Sequence, residues 1–370
     1  MAQQNNARFR NQGHAVTPDM STGEMLNVAG MDWKTIPMPM LIQGKTQNRP
    51  SAFKSLVRSN DGYELGVATE DYNPIHNAQI VDSMKRIADA GEMTITSLGA
   101  LDHGRRIFAA CKMGESFNVT DPNLTDEARH AFGGSRANGL DTVELNGLMG
   151  SGHVPGISFT FEGWGERLTC LNGAKISKSA RARFSMRHVT DFNHVQEAKL
   201  RASIRAIKAE FLEYRDQAQS LRNAKWDAEI TRAFCCELLA PEMFKAALER
   251  TEIKLETPSL LSAPKSGYSL DYVLNRTAAY FRPSDQPTKR GEIGISRPAA
   301  RVMELVSAQP GADLATGTAW NAYNAVTYYV DHERGRGESS AVESSLFGEG
   351  ANLKTSALEL ALAYTEAIRN

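Results

Sequence analysis

Seven apolar residues recur along one stretch of this chain at spacings that alternate between four and three: Leu200, Ile204, Ile207, Phe211, Tyr214, Ala218 and Leu221. A helix gathers residues at those spacings onto one stripe, so the pattern predicts a long helix from about Asn193 to Asn223. The repeat is heptad-like, which suits packing inside a domain or contact with a second copy. Arg201, Arg205, Lys208, Arg215 and Arg222 follow one residue behind the seam and lay a basic stripe beside it. Just upstream, Arg181 to His188 alternates like a strand. Arg181, Arg183, Ser185 and Arg187 share one face, and Ala182, Phe184, Met186 and His188 share the other. From Arg167 to Lys208 there are ten Lys or Arg against two acids, within a chain whose net charge is −1. A polyanion site requires such a local excess, although a solvated face carries one too.

The rest of the chain suits an α+β domain. Hydrophobic residues make up 41% and charged residues 23%, which excludes wholesale disorder. Residues 1–30, rich in Gln, Asn, Gly and Met, read as a flexible tail, with order beginning near Trp33. Ala52–Arg58 and Tyr63–Thr69 read as strands joined across Asp61-Gly62, a hairpin signal. A helix is expected from Asn77 to Ala90, ended by Gly91. Met93–Ala100 and Arg105–Cys111 form a second hairpin. Residues 113–155 read as loop, with a short strand at Thr142–Leu145, because glycines crowd the stretch. Ile157–Phe161 reads as a strand and Arg167–Lys178 as a short helix. Beyond the long helix, Asp227–Leu239 is helical. Residues 251–297, with Pro258, Pro264, Pro283 and Pro287, read as an excursion or linker. Helices are expected at Pro298–Ala308, Thr318–Asp331 and Asn352–Ile368, the last capped by Asn352.

Few residues carry a signature of chemistry. The start has no apolar stretch of a secretory signal, so a cytoplasmic setting is expected. The cysteines, at 111, 170, 235 and 236, show no metal-ligand spacing, and no metal or other cofactor is expected. Gly44-Lys45-Thr46 resembles the end of a phosphate loop, but Pro39 stands where its first Gly belongs. Asp331-His332 closes an aromatic helix and would suit a metal or acid–base site with distant partners, or a helix end where His meets exposed carbonyls. Trp164 lies between Gly163 and Gly165 in what reads as a loop, placed to stack on a base ahead of the basic segment. No apolar run is long enough to cross a membrane.

Several pieces, in this order, resemble one known family. They are Leu65-Gly66-Val67 with Tyr72-Asn73-Pro74-Ile75-His76-Asn77; Gly104-Arg105-Arg106; Arg167-Leu168-Thr169-Cys170-Leu171-Asn172; Arg187-His188; and Asn324-Ala325-Val326-Thr327 through Asp331-His332. The chain is similar, from about Trp33 to Tyr364, to the phage/plasmid-like proteins that share domain of unknown function 932. The resemblance implies a setting in bacteriophages, plasmids and integrated elements, near replication and recombination genes. It implies no catalytic residues. Two departures are residues 114–140, which intervene before Asp141, and Gly173, where the family often has Thr.

Together these observations predict an α+β fold: antiparallel hairpins around a mixed sheet with one long helix, then a mainly helical C-terminal part. The expected divisions are a tail (1–30), a core domain (31–250), an excursion (251–297) and C-terminal helices packed on the core (298–370). The expected function is binding of single-stranded DNA by a phage or plasmid DNA-metabolism protein, extending to annealing of complementary strands without a nucleotide, and working as a homo-oligomer. The expected contacts are Lys175, Lys178, Arg181, Arg183, Arg187, Arg201, Arg205, Lys208 and Trp164, in a groove shared by the strand and the long helix. The alternatives are a metal-dependent nuclease or hydrolase built on Asp331 and His332, and a non-enzymatic factor acting against the host.

Overall fold

The computed structural model describes residues 13–44, 47–120, 141–176, 178–188, 193–256, 259–278, 281–282, 293–335 and 338–369. The chain starts with strand β1 (Gly13–Ala15) and helix α1 (Thr22–Val28), followed by strands β2 (Thr35–Ile42), β3 (Arg49–Arg58) and β4 (Glu64–Thr69) and helix α2 (Asn77–Asp89). Strands β5 (Thr94–Leu101), β6 (Arg106–Val119), β7 (Asp141–Gly152), β8 (Phe159–Arg167), β9 (Asn172–Lys175) and β10 (Arg183–Met186) come next. The helices that follow are α3 (His194–Asn223), α4 (Ala228–Leu239), α5 (Pro241–Arg250), α6 (Leu270–Ala278), α7 (Arg297–Ala308), α8 (Ala319–Tyr328), α9 (Glu338–Phe347) and α10 (Glu349–Arg369). The fold is α+β.

The main sheet has seven strands in the order β1-β5-β6-β7-β8-β10, with β9 also on β8. Its pairings are antiparallel, where a mixed sheet was expected. A second sheet, β2-β3-β4, forms a separate wing. Helix α3 crosses one face of the main sheet, and every residue of its apolar seam is buried. The seam therefore packs inside the molecule, leaving none of it for a second copy. One continuous core runs from α1 through this face to α8 and α10. A smaller core, with Phe108, Leu148, Trp164, Val342 and Leu346, covers the opposite face beneath α9.

Several expectations need correction. Residues 13–30 do not form a loose tail: β1 pairs with β5, and Met25 and Leu26 of α1 are buried. Ser21 and Glu24 cap α1 reciprocally, a four-residue signal inside polar sequence. Residues 1–12 lie outside the described residues. The stretch read as loop contains the second half of β6, which extends the expected strand Arg105–Cys111 to Val119, and the whole of β7, which extends the short strand expected at Thr142–Leu145. Its glycines serve close packing: a Cβ on Gly147 would stand 2.4 Å from the Phe161 ring, and one on Gly150 would stand 2.6 Å from that of Phe347. Arg167–Lys178 is no helix; it holds the end of β8, a turn and β9. The excursion is partly core, since Leu260, Val273 and Leu274 are buried in it; Pro258, Pro283 and Pro287 lie outside the described residues. Helix α10 begins at Glu349, upstream of Asn352.

Candidate functional site

Where the wing meets the main sheet, a cleft of about 620 Å³ opens between the end of β4 and the loop that joins β7 to β8. Tyr72 N–H bonds to Thr69 O as β4 ends, Pro74 disfavours helical backbone at Asn73, and α2 starts at Asn77 after the extended cap residue His76, whose N–H donates to Gln79 Oε1. This extended segment clasps His188 beyond β10. Asn73 N–H donates to His188 O (2.8 Å), Ile75 N–H donates to His188 Nδ1 (3.4 Å), and the Tyr72 ring stacks on the imidazole at 5.6 Å. Phe53, Val67, Val154 and Ile157 give the cleft apolar walls, and Asp71, Ser158 and Arg187 add polar groups.

Two buried histidines stand behind it. Asn77 Nδ2 donates to Met31 O and Trp33 O, which leaves Asn77 Oδ1 as the acceptor 2.8 Å from His153 Nε2. His153 therefore carries its proton on Nε2, and its Nδ1 is a buried acceptor with no partner among the described residues. Burial, with the neighbouring His188 and His76, pushes its pKa down to about 3. In His188 the proton belongs on Nε2, 3.5 Å from Ser151 Oγ. Burial pushes this pKa down to about 4, against a smaller opposing effect of a hydrogen bond to the Ile157 backbone. Burial also raises the Tyr72 phenol, whose oxygen is buried without a partner among the described residues. Both rings are neutral at pH 7, so the positive charge at the cleft is that of Arg187.

The structure divides the expected cationic groove between two faces of the sheet. Arg201 binds Glu92 (2.5 Å) and Glu197 (3.1 Å), and Lys208 binds Glu115 (3.3 Å), so the stripe on α3 runs over the β5–β6 side. Arg205 is exposed on the same helix. Lys178 Nζ donates to Gln217, and its pKa is lowered by burial against the opposing pull of Glu359, Glu213 and Glu210. Arg183 pairs in register with Glu162. Successive residues of β8 face opposite ways, and Gly163 lies against Ile207 of α3, so Glu162 and Arg183 are on the face away from α3. There Glu162 bridges Lys175 (2.8 Å) and Arg183 (2.7 Å). Arg181 and Arg187 are exposed, with no carboxylate partner among the described residues. Strand and helix thus form no shared groove, and carboxylates already hold half of the expected cations.

Trp164 is a strand residue, 5% exposed beneath α9, and offers no surface for a base. The excess from Arg167 onward is partly internal too. Arg167 forms a buried bidentate ion pair with Asp141 (2.6 and 2.8 Å), which also accepts from Trp320 Nε1 (2.8 Å). Asp331 is held by Lys354 (2.8 Å), Ser345 and Gly173 N–H (2.8 Å), and His332 Nε2 lies 3.0 Å from Cys170 O. These bonds tie the C-terminal helices to β8 and β9. Among the described residues no three His, Cys, Asp or Glu side chains converge as a metal-ligand set, and no helix is long and apolar enough to cross a membrane. Sequence reasoning missed the cleft residues Phe53, Tyr72, His153 and Ile157, although Tyr72–Asn77 and Arg187-His188 were two of the quoted motifs.

A model of the family described as domain of unknown function (DUF932) matches residues 64–347. No curated protein and no solved structure matches the chain.

Proposed function

This chain belongs to the DUF932 family, a domain of unknown function, and we propose that it binds single-stranded DNA along the β10 edge of the main sheet, where Arg181, Arg183 and Arg187 are exposed. One observation carries the reading: Arg181 and Arg187 flank the Lys175–Glu162–Arg183 cluster at one sheet edge, and two cations in that cluster share one carboxylate. This patch therefore keeps an excess of about three positive charges, beside a cleft with apolar walls. The strand expected over Arg181–His188 is shorter, Arg183–Met186: Arg181 sits in the 3-10 turn Ala180–Ala182 that leads into it and Arg187 follows its end, so the arginines are spread along the edge rather than at a strict strand repeat. Arg201, Arg205 and Lys208 lie on the other side and take no part. The resemblance to phage/plasmid-like proteins supports reading such binding as part of phage or plasmid DNA metabolism inside the host cell, where a surface that engages phosphates and leaves base edges free would favour annealing. The test is fluorescence anisotropy of a labelled oligothymidylate with the wild type, with Arg181→Ala/Arg183→Ala/Arg187→Ala, and with Arg201→Ala/Arg205→Ala/Lys208→Ala. The first variant loses binding and the second retains it. Equal binding by the first variant and the wild type refutes the proposal.

A further inference from the structure

We infer that the cleft between β4 and the β7–β8 loop is a site for one nucleotide unit, the base between its apolar walls and the phosphate on Arg187. The inference deepens the reading of this face as a strand-binding surface and rests on it. Its volume, about 620 Å³, lies within the roughly 300–1,000 Å³ of small-ligand sites. Two large apolar side chains of its wall stay open to water, Phe53 at 50% and Val67 at 41% exposed, although the core beside them is closed. A flat heterocycle would cover them. Arg187 lies in the same lining with no carboxylate partner among the described residues, and neutral His188 neither adds to nor cancels its charge. Asp71, an acceptor when ionised, suits a ligand that brings exocyclic amino or hydroxyl hydrogens. Apolar walls, one guanidinium and a few polar groups match a base joined to a single phosphate better than a purely apolar ligand or one with several phosphates. The cleft adjoins the cationic sheet edge through Arg187, so the same chemistry could arrive free or as one residue of a bound strand.

The experiment separates those sources. Thymidine 5′-monophosphate, thymidine and an oligothymidylate are titrated by calorimetry into the full chain and into Val67→Trp, Arg187→Ala and Arg183→Ala. Circular dichroism melting confirms that each variant is folded. The monophosphate binds the wild type. Val67→Trp, which fills the cleft from an exposed position, weakens it by at least about tenfold. Arg187→Ala weakens the monophosphate and leaves thymidine unchanged. Arg183→Ala leaves the monophosphate unchanged and weakens the oligonucleotide. If oligonucleotide binding persists while Val67→Trp and Arg187→Ala change nothing for the monophosphate, the cleft assignment is overturned and the strand reading stands. If the monophosphate binds as described but the oligonucleotide does not, the cleft assignment stands for a free nucleotide and the strand reading falls. If neither ligand binds, both are overturned.

Discussion

Replacing Asp141 by Asn removes one charge from a buried pair and leaves its partner in place. The Asp141 and Arg167 side chains are 3% and 2% exposed, so neither charge has water to fall back on. Arg167 would keep its bond to Gly311 O (2.9 Å) but lose its counter-charge and one arm of a bidentate contact, and Trp320 Nε1 would face a weaker acceptor. Breaking one side of a buried ion pair costs about 3–5 kcal/mol, because the remaining charge stays desolvated. We expect Asp141→Asn to lose that much unfolding free energy in urea titrations followed by tryptophan fluorescence and circular dichroism. Arg167→Met/Asp141→Leu should lie closer to the wild type than Asp141→Asn does, because no orphan charge remains. A loss below about 1 kcal/mol, or a double variant less stable than the single, would refute the reasoning that the pair is sealed from solvent.

Acid should weaken the fold through His153 and His188. Their folded pKa values, about 3 and about 4, lie below the usual imidazole value of 6.5, so the unfolded chain binds more protons. Stability is therefore complete above about pH 6.5 and is lost as pH falls toward 4, by on the order of 3 kcal/mol per ring. Urea midpoints between pH 4 and 7 should fall less steeply for His153→Gln, and parallel curves would contradict the assignment. Gly163→Ala would put a Cβ 2.3 Å from Ile207 Cγ2, forcing α3 off the sheet. A cost of about 1–3 kcal/mol is expected in thermal melts, and an unchanged melting temperature would show that the helix sits further away.

Residues whose pattern is local could be read from the chain. Helix α3 was legible because its seam repeats over many turns and Asn193 caps it, and α4 because Asp227 caps it in the same way. The first half of β6 and the start of β7 were read as strands, but the rest of β7 was not, because Gly147 and Gly150 serve packing by the Phe161 and Phe347 rings, which no local rule can separate from turn glycines. Arg167 and Trp164 misled for a related reason. Their partners, Asp141 and the residues of α9, are far along the chain, so a buried cation and a buried indole looked like surface groups. The stripe on α3 was correctly placed on one side of the helix, but Glu92 and Glu115, which neutralise much of it, come from other elements. The cleft is assembled from β3, β4, a loop and the end of β10, so its chemistry had no contiguous signature beyond the motif pieces themselves.

The salt dependence of oligothymidylate binding tests the central claim most directly. Single strands release counterions with a slope of about −0.7 per phosphate neutralised. With about three net charges on the β8–β10 face, a plot of log K against log salt should have a slope of about −2. A slope near −4 would mean that Arg201, Arg205 and Lys208 of the helix stripe engage phosphates as well, and a slope near zero would mean that this face holds no strand at all.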